Sequence, residues 1–334
     1  MIDGMTQGTH PDLGVHASDL RTRVEGRNAW ISGARGFIGS HLVRRLRSLG
    51  AEVHPFVGDI RHGDQVQESI TAIRPDLLFN LAAHVDVRRT PALDKEMQAT
   101  VLGGALAVYK AAAALGSAPL LLQCGTCEEY GTISAPFSET DTPSEPVSPY
   151  SRAKLQASQA LLKRASSGAV RIVVARPFLT FGPGQQNRQL VPAAIEAALK
   201  QTTFPMTRGE QTREFNFVSD TVDGLIRAAT TPAVEGSIIN IGSGDERRVV
   251  DVTHLIFRVA QADVALIEAG ALPERPGEVP RFFADVRRCR DLLGHVPTVS
   301  LEEGLKQTVA WYREHLRGDG LTAPAKQHRG EPLS

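Results

Sequence analysis

Three glycines spaced by three, Gly33, Gly36 and Gly39, join a short apolar run to an amphipathic one. Ala29 to Ser32 is mostly apolar, as a buried strand requires. Phe37, Ile38, Leu42, Val43 and Leu46 then recur at helical spacing, leaving Arg44, Arg45 and Arg47 for the outer face. The stretch 30–42 therefore predicts a strand, a tight turn and the first turns of a helix. A helix entered this way aims backbone N–H groups and the positive end of its dipole at one point, which suits a phosphate. The glycines let the backbone turn, approach a pyrophosphate and pack helix on strand. Spaced glycines alone also fit a purely structural turn, so the rest of the chain has to arbitrate.

Strand and helix patterns keep alternating after that turn. Ala51 to Val57 reads as a second strand and Asp64 to Ile73 as a helix, broken by Arg74-Pro75-Asp76. Leu77 to Ala83 reads as a buried strand, Val101 to Leu115 as an Ala-rich helix and Ala118 to Gln123 as a further strand. Tyr150 to Ala165 is helical and Ala169 to Arg176 extended. Such alternation predicts an α/β fold with a doubly wound parallel sheet, Rossmann-like, whose ligands bind beyond the carboxyl ends of the strands. The second half is less regular. It carries helices over Gln189 to Lys200, Val252 to Ala260 and Leu301 to Arg313, with Ser219-Asp220 expected to cap a helix running to Ala229.

Charge and cysteine content exclude several classes. Lys+Arg and Asp+Glu are 37 each, so the net charge is +0. That balance argues against a nucleic-acid or membrane-surface partner. No apolar run is long enough to span a bilayer, and the polar residues 1–26 lack the apolar core of a secretory signal. Three cysteines are too few for a disulfide framework, which fits a reducing cytoplasm. Cys124 and Cys127 form a C-x-x-C, but no second pair completes four metal ligands, so no metal is expected.

Two sites carry candidate chemistry. Tyr150 and Lys154 lie four apart, so on a helix they share a face, and an ammonium there lowers the pKa of a phenol toward acid/base work. A partly exposed Tyr and a solvated Lys fit the same spacing. Gln123-Cys124-Gly125-Thr126-Cys127-Glu128-Glu129-Tyr130-Gly131 lies just past a strand end, where Thr126 offers a hydroxyl to a substrate oxygen. Glu128 and Glu129 would by default be solvated.

Glycine turn, polar strand end and Tyr-x-x-x-Lys follow one another in the order of the extended short-chain dehydrogenase/reductases. The chain resembles that superfamily, in its nucleotide-sugar epimerase/dehydratase/reductase branch, from about Asn28 to Arg313. Further marks are Asn80-Leu81-Ala82-Ala83, Gly182-Pro183-Gly184-Gln185, Arg208 to Phe215 and Arg275-Pro276-Gly277-Glu278. The resemblance implies that Tyr150 is the acid/base, that Lys154 lowers its pKa and holds the nicotinamide ribose, and that Thr126 bonds the reacting oxygen. It places coenzyme contacts at Gly33, Arg35, Gly36, Phe37, Ile38, Gly39, Asp59, Ile60, Leu81, Ala82, Ala83 and Lys154. It places substrate contacts at Thr126, Cys127, Glu128, Tyr150, Arg213 and Arg275, the two arginines on the nucleotide or diphosphate of a nucleotide-diphosphate sugar.

The implied organisation is a flexible leader (1–26), a dinucleotide-binding domain (27–178, with 212–242 returning to it), a smaller nucleotide-sugar-binding domain (179–211 and 243–315) and a flexible tail (316–334). The helices Leu102 to Leu115 and Leu155 to Ala165 imply a homodimer.

The chain departs from the pattern at three places. Val57 stands where NAD-binding members usually carry Asp. Arg35 sits inside the glycine turn, as in NADP-dependent reductases of the branch. Leu179 replaces the Asn that precedes the Gly-Pro loop. The first two favour NADP over NAD and a reductase of a nucleotide-linked 4-keto-deoxysugar, with an NAD-dependent 4-epimerase as the alternative; the third removes a diphosphate contact of the family. Dehydratases of the branch carry Thr-Asp-Glu where this chain has Thr126-Cys127-Glu128, and a thiol is a poor replacement for that acid.

Overall fold

The alternation closes into a parallel sheet in the computed structural model, which describes residues 13–83, 90–186, 189–274 and 277–319. Its strands are β1 (Asn28–Ser32), β2 (Glu52–Pro55), β3 (Leu77–Asn80), β4 (Leu120–Cys124), β5 (Arg171–Pro177) and a last strand, Ile238–Ile241. The six lie in the order Ile238–Ile241, β5, β4, β3, β1, β2, every pair parallel. Successive residues of a strand face opposite sides, and the central strands are apolar on both. Ile31, Phe79, Leu122 and Val173 enter one buried cluster, while Trp30, Leu78, Leu121 and Ile172 enter the other.

Helices cover both faces. They are α1 (Leu13–Val24), α2 (Phe37–Ser48), α3 (Gly63–Ile73), α4 (Pro91–Met97), α5 (Gly104–Ala113), α6 (Pro149–Ala165), α7 (Leu190–Lys200), α8 (Val218–Thr230), α9 (Val249–Ala260), α10 (Arg287–Leu293) and α11 (Leu301–Asp319). Leu42 and Leu46 of α2 and Leu225 and Ile226 of α8 fill the first cluster. Ile70 of α3, Val108 of α5 and Ala153, Ala157 and Leu161 of α6 fill the second. The smaller C-terminal region carries a three-stranded sheet of Arg247–Arg248, Thr212–Arg213 and Arg281–Phe282, and a paired Phe204–Met206 and Ile267–Ala269.

Three expectations are corrected. Residues 13–24 of the expected leader form α1, because Leu20 and Val24, one turn apart, are buried and Asp19 pairs with Arg227 of α8 at 2.8 Å. The expected tail begins inside α11, which runs on to Asp319. Residues 1–12 of the leader and 320–334 of the tail lie outside the described residues. Asp220 does not cap its own helix. Phe217 holds that position, and the Asp220 carboxylate instead accepts from the Thr298 and Val299 N–H groups, both at 3.0 Å, tying down the approach to α11.

Candidate active site

Strand order reverses at β1, since β2 lies on one side of it and β3 on the other, so a crevice opens beyond the ends of β1 and β3. Gly33 turns there with φ +68°, and a Cβ at this position would lie 2.8 Å from the Leu81 carbonyl. A Cβ at Gly39 would lie 2.1 Å from the Gly33 oxygen, so α2 can approach β1 this closely only through glycine. Gly36 stands at the N-cap of α2 and among the described residues no side chain caps that helix, which leaves its first N–H groups to meet a ligand. The close backbone approach and the uncapped helix start fit the pyrophosphate of a dinucleotide.

Arg35 and Gly36 are exposed, and Phe37, Ile38, Leu81, Ala82 and Ala83 are half-buried around them. β2 ends at Pro55 and is followed by Phe56 and the exposed Val57, neither of them acidic. Asp59 is turned onto Arg61, whose Nε lies 3.0 Å from both carboxylate oxygens, and that pairing holds its pKa down to about 2. Ile60 is buried against Gly104.

A buried polar row ties the strand ends together. Ser32 Oγ donates to Asn80 Oδ1 at 2.6 Å, and Asn80 Nδ2 donates to Gln123 Oε1 at 2.7 Å. The Ala82 N–H donates back to Ser32 Oγ at 3.1 Å. These three side chains were not singled out from the sequence. Each stands as one polar residue at the end of an apolar strand, which is the signal that could have found them.

β4 leads into Thr126, and α6 brings Tyr150 and Lys154 beside that strand end. Lys154 is buried. Its Nζ donates to the Cys124 carbonyl at 2.6 Å and lies 5.8 Å from the centre of the Tyr150 ring. Ser148 caps α6 and fixes where the helix begins, so Tyr150 stands in its first turn. Thr126 caps the short 3₁₀ turn Cys127–Tyr130, its hydroxyl accepting from the Glu128 N–H at 3.3 Å.

The electrostatics correct one expectation. Burial, with Glu128, Cys124, Cys127 and Glu129 around it, pushes the Tyr150 phenol well above its ordinary 10 rather than below it. The Lys154 ammonium is itself pushed down by burial, although Cys124 and Glu129 oppose that. Nor are the two acids solvated as expected. Glu129 is fully buried and pairs with Arg176 at 2.9 Å, and Glu128 is half-buried with its pKa raised by burial.

Among the residues expected to meet substrate, Cys127 is a buried free thiol, pushed up by burial and by Glu128 and Glu214. Arg213 is half-buried. Its Nη1 donates to the Thr212 and Val279 carbonyls at 2.7 and 2.9 Å, and its Nη2 pairs with Glu278. Leu179 lies half-buried beside this region, its carbonyl accepting from the Asn216 N–H at 2.8 Å. Arg275 lies outside the described residues. Among the described residues no group of His, Cys, Asp and Glu could hold a metal, and no helix is long and apolar enough to cross a membrane.

Known proteins resemble the chain in both sequence and fold. The chain is 31% identical to a UDP-glucose 4-epimerase of Mycolicibacterium smegmatis, covering 85% of this chain and 97% of that protein. It is 29% identical to a UDP-N-acetyl-alpha-D-glucosaminuronate decarboxylase of Bacillus cytotoxicus, over the same shares of the two chains. The crystal structure of a UDP-glucose 4-epimerase from Thermotoga maritima with UDP-glucose superposes with a TM-score of 0.80 at 26% identity, covering 86% of this chain and 99% of that one. Residues 29–242 match the model of the NAD dependent epimerase/dehydratase family, and the chain belongs to that family of nucleotide-sugar enzymes.

Proposed function

We propose that the chain is an NADP(H)-dependent reductase of a nucleotide-diphosphate-linked 4-keto-deoxysugar. The observation that carries this reading is the coenzyme end of the crevice. An exposed Arg35 stands in the glycine turn, neither Phe56 nor Val57 at the end of β2 is an acid that could bond a ribose 2′-hydroxyl or repel a 2′-phosphate, and Asp59 beyond them is turned onto Arg61. When bound, the nicotinamide supplies the hydride that reduces the keto carbon. Tyr150 gives its phenolic proton to the C4 oxygen, and a phenol held well above 10 keeps that proton available at neutral pH. Thr126 hydrogen-bonds the same oxygen. Lys154 holds the ribose, and Arg213 meets the diphosphate in place of one of its present partners.

One observation favours a second reading, an NAD-dependent 4-epimerase: the 31% identity to a UDP-glucose 4-epimerase over most of both chains. A 4,6-dehydratase fits less well, because Cys127 offers a thiol where dehydratases of the branch carry an aspartic acid, a far stronger proton donor. Denaturing the purified protein and separating what it releases tests the choice. A reductase is expected to release NADP(H) or nothing and to need added NADPH. Stoichiometric release of NAD⁺ would overturn it in favour of the epimerase.

A further inference from the structure

We infer that Glu129 is the positioning residue that holds Thr126 in register with Tyr150 and Lys154. The inference rests on the reading of those three as the reacting groups. Glu129 is fully buried, and every bond that its carboxylate makes reaches a different part of the site. Oε1 accepts from the Thr126 N–H at 3.0 Å and from Ser158 Oγ at 3.1 Å. Oε2 accepts from Arg176 Nε at 2.9 Å.

Ser158 stands four residues beyond Lys154 and eight beyond Tyr150, on the same face of α6. Arg176 is on β5, nearly fully buried, with its guanidinium 4.4 Å from the centre of the Tyr130 ring. Tyr130 in turn donates to Asn240 Oδ1 at 2.8 Å, on the strand beyond β5. One carboxylate therefore joins the end of β4, the reacting face of α6 and the outer strands.

The backbone makes room for that carboxylate. A Cβ at Gly125 would lie 2.3 Å from Glu129 Oε1, so the side chain can cross the strand end only over a glycine. The Gly125 N–H donates to the Ala175 carbonyl at 2.7 Å, which fixes this glycine to β5 as well. A capping role for Glu129 at the 3₁₀ turn accounts for its bond to Thr126 but not for those to Ser158 and Arg176.

Removing Glu129 alone would strand a buried guanidinium and endanger folding. Two double variants avoid this. Glu129→Met with Arg176→Met keeps the volume and removes both the charges and the acceptor. Glu129→Gln with Arg176→Met removes the charges but keeps an oxygen for Thr126 and Ser158. Both are expected to be folded, which thermal melting checks.

The Met/Met protein is expected to lose about 10²-fold in kcat, the cost of a misplaced reacting group. Its substrate KM and coenzyme Kd should stay near those of the parent. The Gln/Met protein should recover most of that kcat. Amide exchange at Thr126 reads the geometry without substrate: faster by about 10-fold in Met/Met, the loss of one hydrogen bond, and parent-like in Gln/Met. Equal kcat in the two variants, or Thr126 exchange that does not separate them, would overturn the inference. If the parent itself turns over no nucleotide sugar while exchange separates the variants as expected, Glu129 keeps its positioning role and the proposed reaction falls instead.

Discussion

Tyr150 shows what surroundings do to a single side chain. Its phenol is buried and faces Glu128, Glu129, Cys124 and Cys127, so its proton is held tightly. Tyr150→Phe removes only the hydroxyl. Coenzyme binding, followed by fluorescence, is expected to survive, while turnover falls by about 10²–10⁴-fold, the range for a lost general acid. Glu214 is another group with a strong shift. Its Oε2 accepts from the Gly244 and Ala284 N–H groups at 2.6 and 3.3 Å, while its buried Oε1 has no hydrogen-bond partner among the described residues. Burial raises its pKa from 4.5 to about 7. A carboxyl that holds its proton more tightly folded than unfolded destabilises the fold as pH rises between those values. The loss is about 3 kcal/mol, at ~1.4 per unit. Urea unfolding at mildly acid and mildly alkaline pH is expected to show a fall in stability that Glu214→Gln removes, and an unchanged pH dependence in that variant would count against this assignment. The sequence exposed Tyr150, Lys154 and Thr126 because short spacing links them to each other or to a strand end. It hid the Glu129–Arg176 pair, because partners 47 residues apart leave no periodic trace.

At the scale of elements, the turn between β1 and α2 was legible almost residue by residue. Close packing there leaves no substitute for glycine, and the apolar pattern switches from strand to helix across it. α1 was not legible, because Leu20 and Val24 are few apolar positions in a polar stretch and their burial depends on α8, two hundred residues away in the chain. The coenzyme prediction belongs to this turn. Arg35→Ala is expected to weaken NADPH binding by about 10–150-fold, the worth of one charge-assisted bond at ~1.5–3 kcal/mol, and to leave NADH nearly unchanged. Calorimetric titration of both coenzymes against both proteins checks it. Equal loss for the two would remove Arg35 from the 2′-phosphate.

For the whole molecule, the sheet leaves α5 and α6 on one face with half-buried Leu106, Leu155 and Leu162 on their outer sides. We propose that these helices pair with a second copy of the chain. Light scattering at micromolar concentration is expected to give a dimer mass, and Leu106→Asp combined with Leu155→Asp is expected to give a monomer. A monomeric parent would refute the pairing. In the proposed reaction a hydride passes from NADPH to C4 of a nucleotide-linked 4-keto sugar while Tyr150 gives the proton. Mixing the protein with NADPH deuterated on the transferring face and a nucleotide-linked 4-keto-6-deoxyhexose tests it in one measurement, mass and NMR analysis of the sugar. One deuterium at C4 is expected for each NADPH oxidised. Sugar interconversion without deuterium uptake or NADPH oxidation would contradict it.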